Sequence, residues 1–167
     1  PTKTPQNCQS GQTAPEAGYI GIEVHRPGVG HAMLAAAAAD IDNLRLIRHD
    51  AVAILRDHVA DGTLARVQIY FPDPWPKARH HKRRIVQKPF TDLIWRKLRA
   101  GGEIHCATDW AEYAEWMRDV FASDDKWQNL GGADGYAPRP DWRPQTKFER
   151  RGERLGHGVW DLRYRKN

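Results

Sequence analysis

The chain has 167 residues, a formal net charge of +5 and an isoelectric point of about 9.4. Its length suffices for one domain with a real core but not for two large ones. No apolar run reaches the roughly 18 residues of a membrane-spanning helix, and the N-terminus lacks the basic-then-apolar layout of a signal peptide. The excess of basic over acidic residues is a weak indication of a polyanionic partner. No membrane partner is expected.

The cysteines and histidines do not form a metal-binding pattern. Cys8 and Cys106 are the only cysteines and lie far apart, which argues against a disulfide scaffold and a zinc site. The eight histidines show no HExxH or HxH spacing, so a metal hydrolase is disfavoured. We therefore expect no metal ion and a reducing, cytoplasmic location.

Apolar segments of strand length alternate with segments of helical spacing from residue 18 onward. Strands are predicted at residues 19–24, 44–47, 65–71, 103–108 and 158–165. Helices are predicted at residues 30–39, 51–58, 89–99 and from a cap at residue 109 to about residue 121. This order predicts an α/β fold with a mostly parallel sheet and helices on both faces. The last strand has no helix after it and is expected to insert antiparallel at or near an edge.

Local signals set the predicted boundaries of these elements. Pro27 and Gly28 are expected to break the chain after the first strand. The glycine pair at residues 101–102 is expected to end the third helix. Asp109 is expected to cap the fourth helix, with Glu112 in the capping-box position.

Acidic residues lie at or near the carboxyl ends of the first four predicted strands: Glu23, Asp50, Asp73 and Asp109. Open parallel sheets bind ligands beyond the carboxyl ends of their strands. A single acid at such a place usually caps the next helix, but four predict a ligand with several hydrogen-bond donors. By position, Glu23 suits ribose hydroxyls and Asp50 an adenine amino group.

The strongest local signal is a proline-rich segment, residues 71–77, followed by a basic run. Two prolines flank Asp73 and a third follows Trp75, so the loop has little backbone freedom. Such stiffness suits a residue that holds a substrate in one pose. The competing interpretation is a rigid turn with a buried tryptophan, followed by a solvated basic helix face.

Residues 71–87 read FPDPWPKARHHKRRIVQ and closely resemble the signature of the bacterial tRNA (guanine-N7)-methyltransferases, which modify guanosine 46 of the variable loop. Four other segments match in the same order: GIEVHRPGVG from Gly21, NLRLIRHDA from Asn43, ATDW from Ala107 and RPQTKFERRGERLGHGVWDL from Arg143. The resemblance covers residues 14–167. It implies a Rossmann-like methyltransferase fold, S-adenosylmethionine as cofactor and tRNA as partner.

The resemblance also implies roles for individual residues. Glu23, Asp50 and Asp73 would bind the cofactor, and Asp73 would also be the catalytic aspartate. The implied substrate contacts are Lys77, Asp109, Thr146, Lys147, Phe148 and Glu149. The implied RNA contacts are Arg79, His80, His81, Lys82, Arg83 and Arg84, with His81 standing where the family has asparagine.

The chain departs from the family pattern in its N-terminal residues. The family begins with a strand and a glycine-rich turn, E-I-G-F-G-x-G, whereas residues 1–13 contain only Gly11. We therefore expect a fold without that first strand and turn, in which residues 1–13 are a disordered tail or a remnant and residues 14–167 a single domain.

The alternative function is a non-catalytic tRNA-binding module, which would keep the basic run but not use the acids. Monomer and homodimer both remain open.

Overall fold

The computed structural model describes residues 16–143, 145, 149 and 158–167. These residues form two compact units. Unit 1 comprises residues 16–58 with 140–143, and unit 2 comprises the remaining described residues from Val59 onward. The tail predicted at residues 1–13 lies outside the described residues, and the single domain predicted for residues 14–167 stays a prediction.

Unit 1 contains two parallel strands, each followed by a helix. Strand β1 is Tyr19–Ile22, helix α1 is Arg26–Ala38, strand β2 is Leu44–Ile47 and helix α2 is Ala51–His58. The strands pair in register from Tyr19 with Leu44 to Ile22 with Ile47. Their carboxyl ends therefore lie at the same edge of this sheet.

Helix α1 begins earlier than the sequence predicts. Pro27 lies in its first turn instead of breaking the chain, because the N–H groups of a first helical turn need no helical partner and the fixed proline φ suits that position. Gly28 is also helical, and a Cβ atom there would lie 3.3 Å from Cγ of Glu23. The predicted break at Pro27 and Gly28 is therefore wrong.

Unit 2 contains a mixed sheet with two helices. Its elements are β3 (Leu64–Tyr70), a 3-10 turn (Ala78–Arg83), α3 (Lys88–Lys97), β4 (Leu98–Thr108), α4 (Ala111–Ala122), β5 (Trp127–Asn129) and β6 (Trp160–Lys166). The strand order is β3-β4-β6-β5. Strands β3 and β4 are parallel, whereas β6 is antiparallel to both of its neighbours. The prediction of an antiparallel last strand near an edge is confirmed.

Strand β4 begins before the glycine pair that was expected to end a helix. Helix α3 ends at Lys97, and the strand continues through Gly101, whose φ is +68°, and Gly102. A Cβ atom on Gly102 would lie 2.9 Å from the Arg99 carbonyl oxygen and 3.1 Å from that of Leu64. The glycine pair therefore permits a close backbone approach where the pairing of β3 with β4 shifts register.

The core of unit 2 lies between one face of the sheet and its helices. Ile104 and Cys106 of β4 pair with Tyr164 and Leu162 of β6, and all four are almost fully buried. The ring of Phe121 from α4 stacks on Tyr164 at a centroid distance of 4.1 Å. Burial of each such side chain contributes about 1.5–3 kcal/mol to folding. Neighbouring positions on these two strands carry polar residues, which face the opposite side of the sheet.

Candidate functional site

Two of the three predicted cofactor-binding acids, Glu23 and Asp50, belong to unit 1 and lie just beyond the carboxyl ends of its paired strands. The Glu23 backbone N–H extends the strand pairing by donating to the Ile47 carbonyl at 3.1 Å, and its carboxylate Oε1 accepts from the His25 backbone N–H at 2.8 Å. Asp50 Oδ1 accepts from the Ala53 backbone N–H at 2.8 Å and so caps α2. Both residues are exposed, so their carboxylates are accessible to a ligand as well.

In unit 2, Asp73 and Asp109 follow the carboxyl ends of two neighbouring parallel strands. Tyr70, the last residue of β3, pairs with Ala107 of β4, and both aspartates are exposed. Asp109 does not cap α4: the N-cap position is Trp110, without a side-chain cap. The predicted capping box is therefore wrong, and the Asp109 carboxylate is not held at the helix start.

The proline-rich loop is held in a strained conformation on either side of Asp73. Phe71 has a φ of +53° and Trp75 a φ of +46°, a region that costs a bulky residue roughly 1–3 kcal/mol. The Phe71 backbone N–H donates to the Ala107 carbonyl at 2.7 Å, and the Pro74 carbonyl accepts from Arg84 Nε at 2.8 Å. These contacts on both sides of Asp73 restrict its backbone.

The basic run forms the 3-10 turn that follows this loop. The His80 backbone N–H donates to the Lys77 carbonyl at 2.7 Å and opens the turn. The side chains of Lys77, Arg79, Lys82 and Arg83 are exposed, whereas His80 and His81 are half-buried. Because these four cations all face solvent, they form a positive surface beside Asp73.

Arg84 is the exception in the basic run, since its side chain is 0% exposed. Its Nη1 and Nη2 donate to the two carboxylate oxygens of Glu112 at 3.0 and 2.5 Å. This pairing lowers the pKa of Glu112 below its ordinary value. The predicted contact of Arg84 with RNA is not supported by this placement, because a phosphate cannot reach a fully buried guanidinium.

A buried polar chain lies beside the end of β3 and was not found in the sequence. The Tyr70 hydroxyl lies 2.9 Å from His105 Nδ1, and His105 Nε2 lies 2.6 Å from Asp161 Oδ1. His105 and Asp161 are 1% and 3% exposed. The only sequence signal is that strands carry a histidine and an aspartate, and their adjacency depends on the register of β4 with β6.

Among the remaining predicted substrate contacts, Glu149 is buried at 3% exposure. Thr146, Lys147 and Phe148 lie outside the described residues. Among the residues that the structure describes, no cluster of His, Cys, Asp and Glu is arranged to hold a metal ion. In the same part of the chain, no helix has the length and apolar character needed to cross a membrane.

Taken separately, each unit presents exposed carboxylates at the carboxyl ends of parallel strands. Such groups accept hydrogen bonds from hydroxyl, amino and ring N–H donors and stabilise positive charge. Unit 2 adds exposed cations that suit phosphate groups. Unit 1 therefore suits a ligand with several donors, and unit 2 suits a donor-bearing group that is attached to a polyanion.

Solved structures with a similar fold include methyltransferases. TrmN from Thermus thermophilus superposes with a TM-score of 0.61 at 14% identity, over 96% of this chain and 40% of that one. A methyltransferase homolog protein from Pyrococcus horikoshii superposes with a TM-score of 0.58 at 13% identity, over 89% of this chain and 53% of that one. The predicted Rossmann-like α/β fold class is confirmed, and these two solved methyltransferases share it.

A methyltransferase family model, described as "Putative methyltransferase", matches residues 7–162, and the chain belongs to this family. The tRNA (guanine-N(7)-)-methyltransferase of Shewanella sp. strain MR-4 is 56% identical over 156 residues, which are 93% of this chain and 66% of that protein. The Shewanella amazonensis protein of the same name is 56% identical over 151 residues, 90% and 63% respectively. The chain thus spans just under two thirds of the length of the curated relatives it matches, and the predicted family is confirmed.

Proposed function

We propose that this chain acts in the S-adenosylmethionine-dependent methylation of N7 of a guanine, at position 46, in tRNA. The observation that carries the proposal is an exposed Asp73 in a strained loop after β3, with exposed cations after it and with an exposed Asp109 after the neighbouring parallel strand β4. The relatives that are 56% identical to the chain carry the name of this activity.

The donor and acceptor chemistry of unit 1 suits the proposed cofactor. Glu23 and Asp50 are exposed carboxylates after neighbouring parallel strands, and ribose hydroxyls and an adenine amino group are donors that need such acceptors. One of the solved structures of this fold, from Streptococcus mutans, is in complex with SAH. We infer that Glu23 and Asp50 hold the nucleoside part of S-adenosylmethionine. The cofactor contact of Asp73 that the resemblance implies stays a prediction.

The reaction needs orientation and electrostatics more than proton transfer. Guanine N7 carries a lone pair and no proton, so no general base is required. S-adenosylmethionine, when bound, supplies a methyl group on a positively charged sulfur. Asp73 can accept a hydrogen bond from guanine N1–H or from the exocyclic amine and so hold the base. Its negative charge also stabilises the positive charge that the purine ring acquires.

Substrate recognition extends from Asp73 to the groups around it. We infer that Asp109, Lys77 and Glu149, together with residues 146–148, contribute to binding the guanine and its nucleotide. Arg79, Lys82 and Arg83 are exposed and would contact phosphates, with His80 and His81 beside them. The target guanine is engaged in tertiary contacts in folded tRNA, so its release costs a few kcal/mol.

The proposal requires no metal ion and no membrane, and it places the protein in the cytoplasm, where tRNA is modified. Phosphate contacts would supply much of the affinity for tRNA and make it fall with salt. Monomer and homodimer are both compatible with the proposal.

The test is methyl transfer from S-adenosylmethionine labelled in its methyl group to a tRNA transcript that carries G46. The matched control is the same transcript with A46. We expect label in 7-methylguanosine, identified by nucleoside mass spectrometry, and none from the control transcript. Binding of tRNA without methyl transfer would favour the non-catalytic RNA-binding module, and transfer to both transcripts would remove position 46 as the target.

A further inference from the structure

We propose that Arg84 is a positioning residue, which holds the loop around Asp73 instead of contacting RNA. The inference rests on the proposed methyltransferase function and separates Arg84 from the basic residues that surround it in the sequence. Three features of the structure carry it: the burial of the side chain, its hydrogen bonds and the two rings that enclose it.

Burial separates Arg84 from its neighbours. Its side chain is 0% exposed, whereas Lys82 and Arg83 directly before it are exposed. A residue that binds phosphate must keep its cation at the surface, and moving Arg84 there would leave its present partners without their donor. The Arg84 guanidinium is therefore a buried structural group, whereas the other cations of the basic run are exposed at the surface.

The guanidinium connects two elements that are distant in sequence. Nε donates to the Pro74 carbonyl at 2.8 Å, while Nη1 and Nη2 donate to the Glu112 carboxylate at 3.0 and 2.5 Å. The paired donors match the two carboxylate oxygens, which is the strong, directional geometry of an arginine–carboxylate pair. Arg84 thus joins the proline-rich loop to the first turn of α4.

Two aromatic rings fix the plane of the guanidinium. Its central carbon lies 4.8 Å from the centre of the Tyr113 ring and 5.0 Å from that of Trp116. Both rings belong to α4, and Trp116 Nε1 donates to the Val86 carbonyl at 2.8 Å. A planar guanidinium can stack in this site and still use three N–H groups, whereas a lysine ammonium cannot do both.

These contacts restrain the residue next to Asp73. Pro74 directly follows Asp73, and Trp75 after it has a φ of +46°. A strained residue persists only where its surroundings hold it. On the β3 side the loop is held by the Phe71–Ala107 hydrogen bond, and on the other side by Arg84. Without Arg84 the backbone can relax and Asp73 loses its fixed position.

The test uses two variants. Arg84→Lys keeps the positive charge but removes the planar guanidinium with its paired N–H donors, and Glu112→Gln weakens the ion pair. Glu112 has a side chain that is 51% exposed, so this second variant keeps the fold if the first does not. Glu115→Gln is the matched control, since it makes the same change at an exposed position of α4. Each variant is assayed for kcat, for tRNA affinity at several salt concentrations and for amide hydrogen exchange of residues 71–77.

We expect Arg84→Lys to lower kcat about tenfold to a hundredfold, the range that a misplaced reacting group produces. The affinity for tRNA and its salt dependence stay within about twofold of the wild type, because no phosphate contact is lost. Exchange becomes faster at residues 71–77 but not in β4 or β6. Glu112→Gln shows the same pattern in weaker form, and Glu115→Gln shows none of it.

A shallower salt dependence for Arg84→Lys would overturn the proposal in favour of a phosphate contact. An unchanged kcat with unchanged exchange in both Arg84→Lys and Glu112→Gln would also overturn it. If the wild type transfers no methyl group, the proposed function fails separately. Hydrogen exchange then still measures whether Arg84 holds the loop, since it does not depend on activity.

Discussion

The guanidinium of Arg83 lies over the indole of Trp75, with its central carbon 4.9 Å from the ring centre. The ring of His80 meets the same indole edge-on at 5.9 Å. The exposed 3-10 turn and the proline-rich loop therefore contact each other directly, through a cation–π pair of about 0.5–1 kcal/mol at an exposed site. Arg83 is therefore in contact with the loop that contains Asp73.

Replacement of Asp73 should separate methyl transfer from tRNA binding. Asp73→Asn keeps the shape of the side chain and removes the charge that stabilises the methylated purine. We expect kcat to fall by about 10²–10³-fold, as for loss of other electrostatic groups, while the tRNA dissociation constant changes less than twofold. Asp125→Asn, an exposed aspartate in the turn before β5, is the control. Full activity of Asp73→Asn would remove this residue from the reaction.

Replacement of Arg83 should change the salt dependence of tRNA binding. The plot of log affinity against log salt falls with a slope proportional to the number of phosphates contacted. Arg83→Ala should weaken binding and reduce that slope by about one contact. Arg99→Ala is the control and should leave the slope unchanged. It removes an exposed arginine near the start of β4, the end of the strand remote from Asp109. A slope equal to that of the wild type in Arg83→Ala would mean that Arg83 contacts no phosphate.

Much of the fold could be predicted because the apolar runs are short and well separated. Helix α2 and strand β2 occupy the predicted residues, and β1 and β3 differ from prediction by one or two at their ends. Strand β5 was missed, since its three residues are too few to show a period. The early start of β4 was missed because Gly101 and Gly102 are as common after a helix as in an irregular strand.

The candidate site was predictable where one segment contains all the information, and not where distant segments meet. Asp73 is recognisable because its prolines adjoin it in sequence. The basic run, in contrast, looks uniform, and only contacts with distant residues, such as Glu112 on α4, distinguish Arg84 from Arg83. His105 and Asp161 became partners through the pairing of β4 with β6, which no local pattern specifies.

The polar chain of Tyr70, His105 and Asp161 should contribute to stability. Removing one member of a buried hydrogen-bonded set leaves a desolvated group and costs about 1–3 kcal/mol. We expect Asp161→Asn to lower the free energy of unfolding by that amount and Tyr70→Phe by about 1 kcal/mol, as measured by urea denaturation. The double variant should cost less than the sum, because the two changes affect one network. Strict additivity would show that the Tyr70 hydroxyl and the Asp161 carboxylate act independently.

Protonation of Glu103 should lower the stability of the protein in acid. Burial opposes ionisation of this carboxyl, but hydrogen bonds from Arg163 and Arg165, each at 2.9 Å, outweigh it and lower the pKa below the ordinary value of 4.5. The folded carboxyl thus binds its proton less readily than the unfolded one. Its stabilisation is therefore fully present above pH 4.5 and is lost as the pH falls through the folded pKa.

Glu103→Gln removes this contribution, so the variant should be less stable than the wild type at neutral pH and should approach it in acid. Below pH 4.5 the free energy of unfolding of the variant should fall less steeply than that of the wild type. The two slopes should differ by at most about 1.4 kcal/mol per pH unit, the limit for one carboxyl group. Urea denaturation between about pH 3 and pH 7 measures the slope. Parallel curves for the two proteins across that range would show that the arginines do not stabilise the ionised form of Glu103.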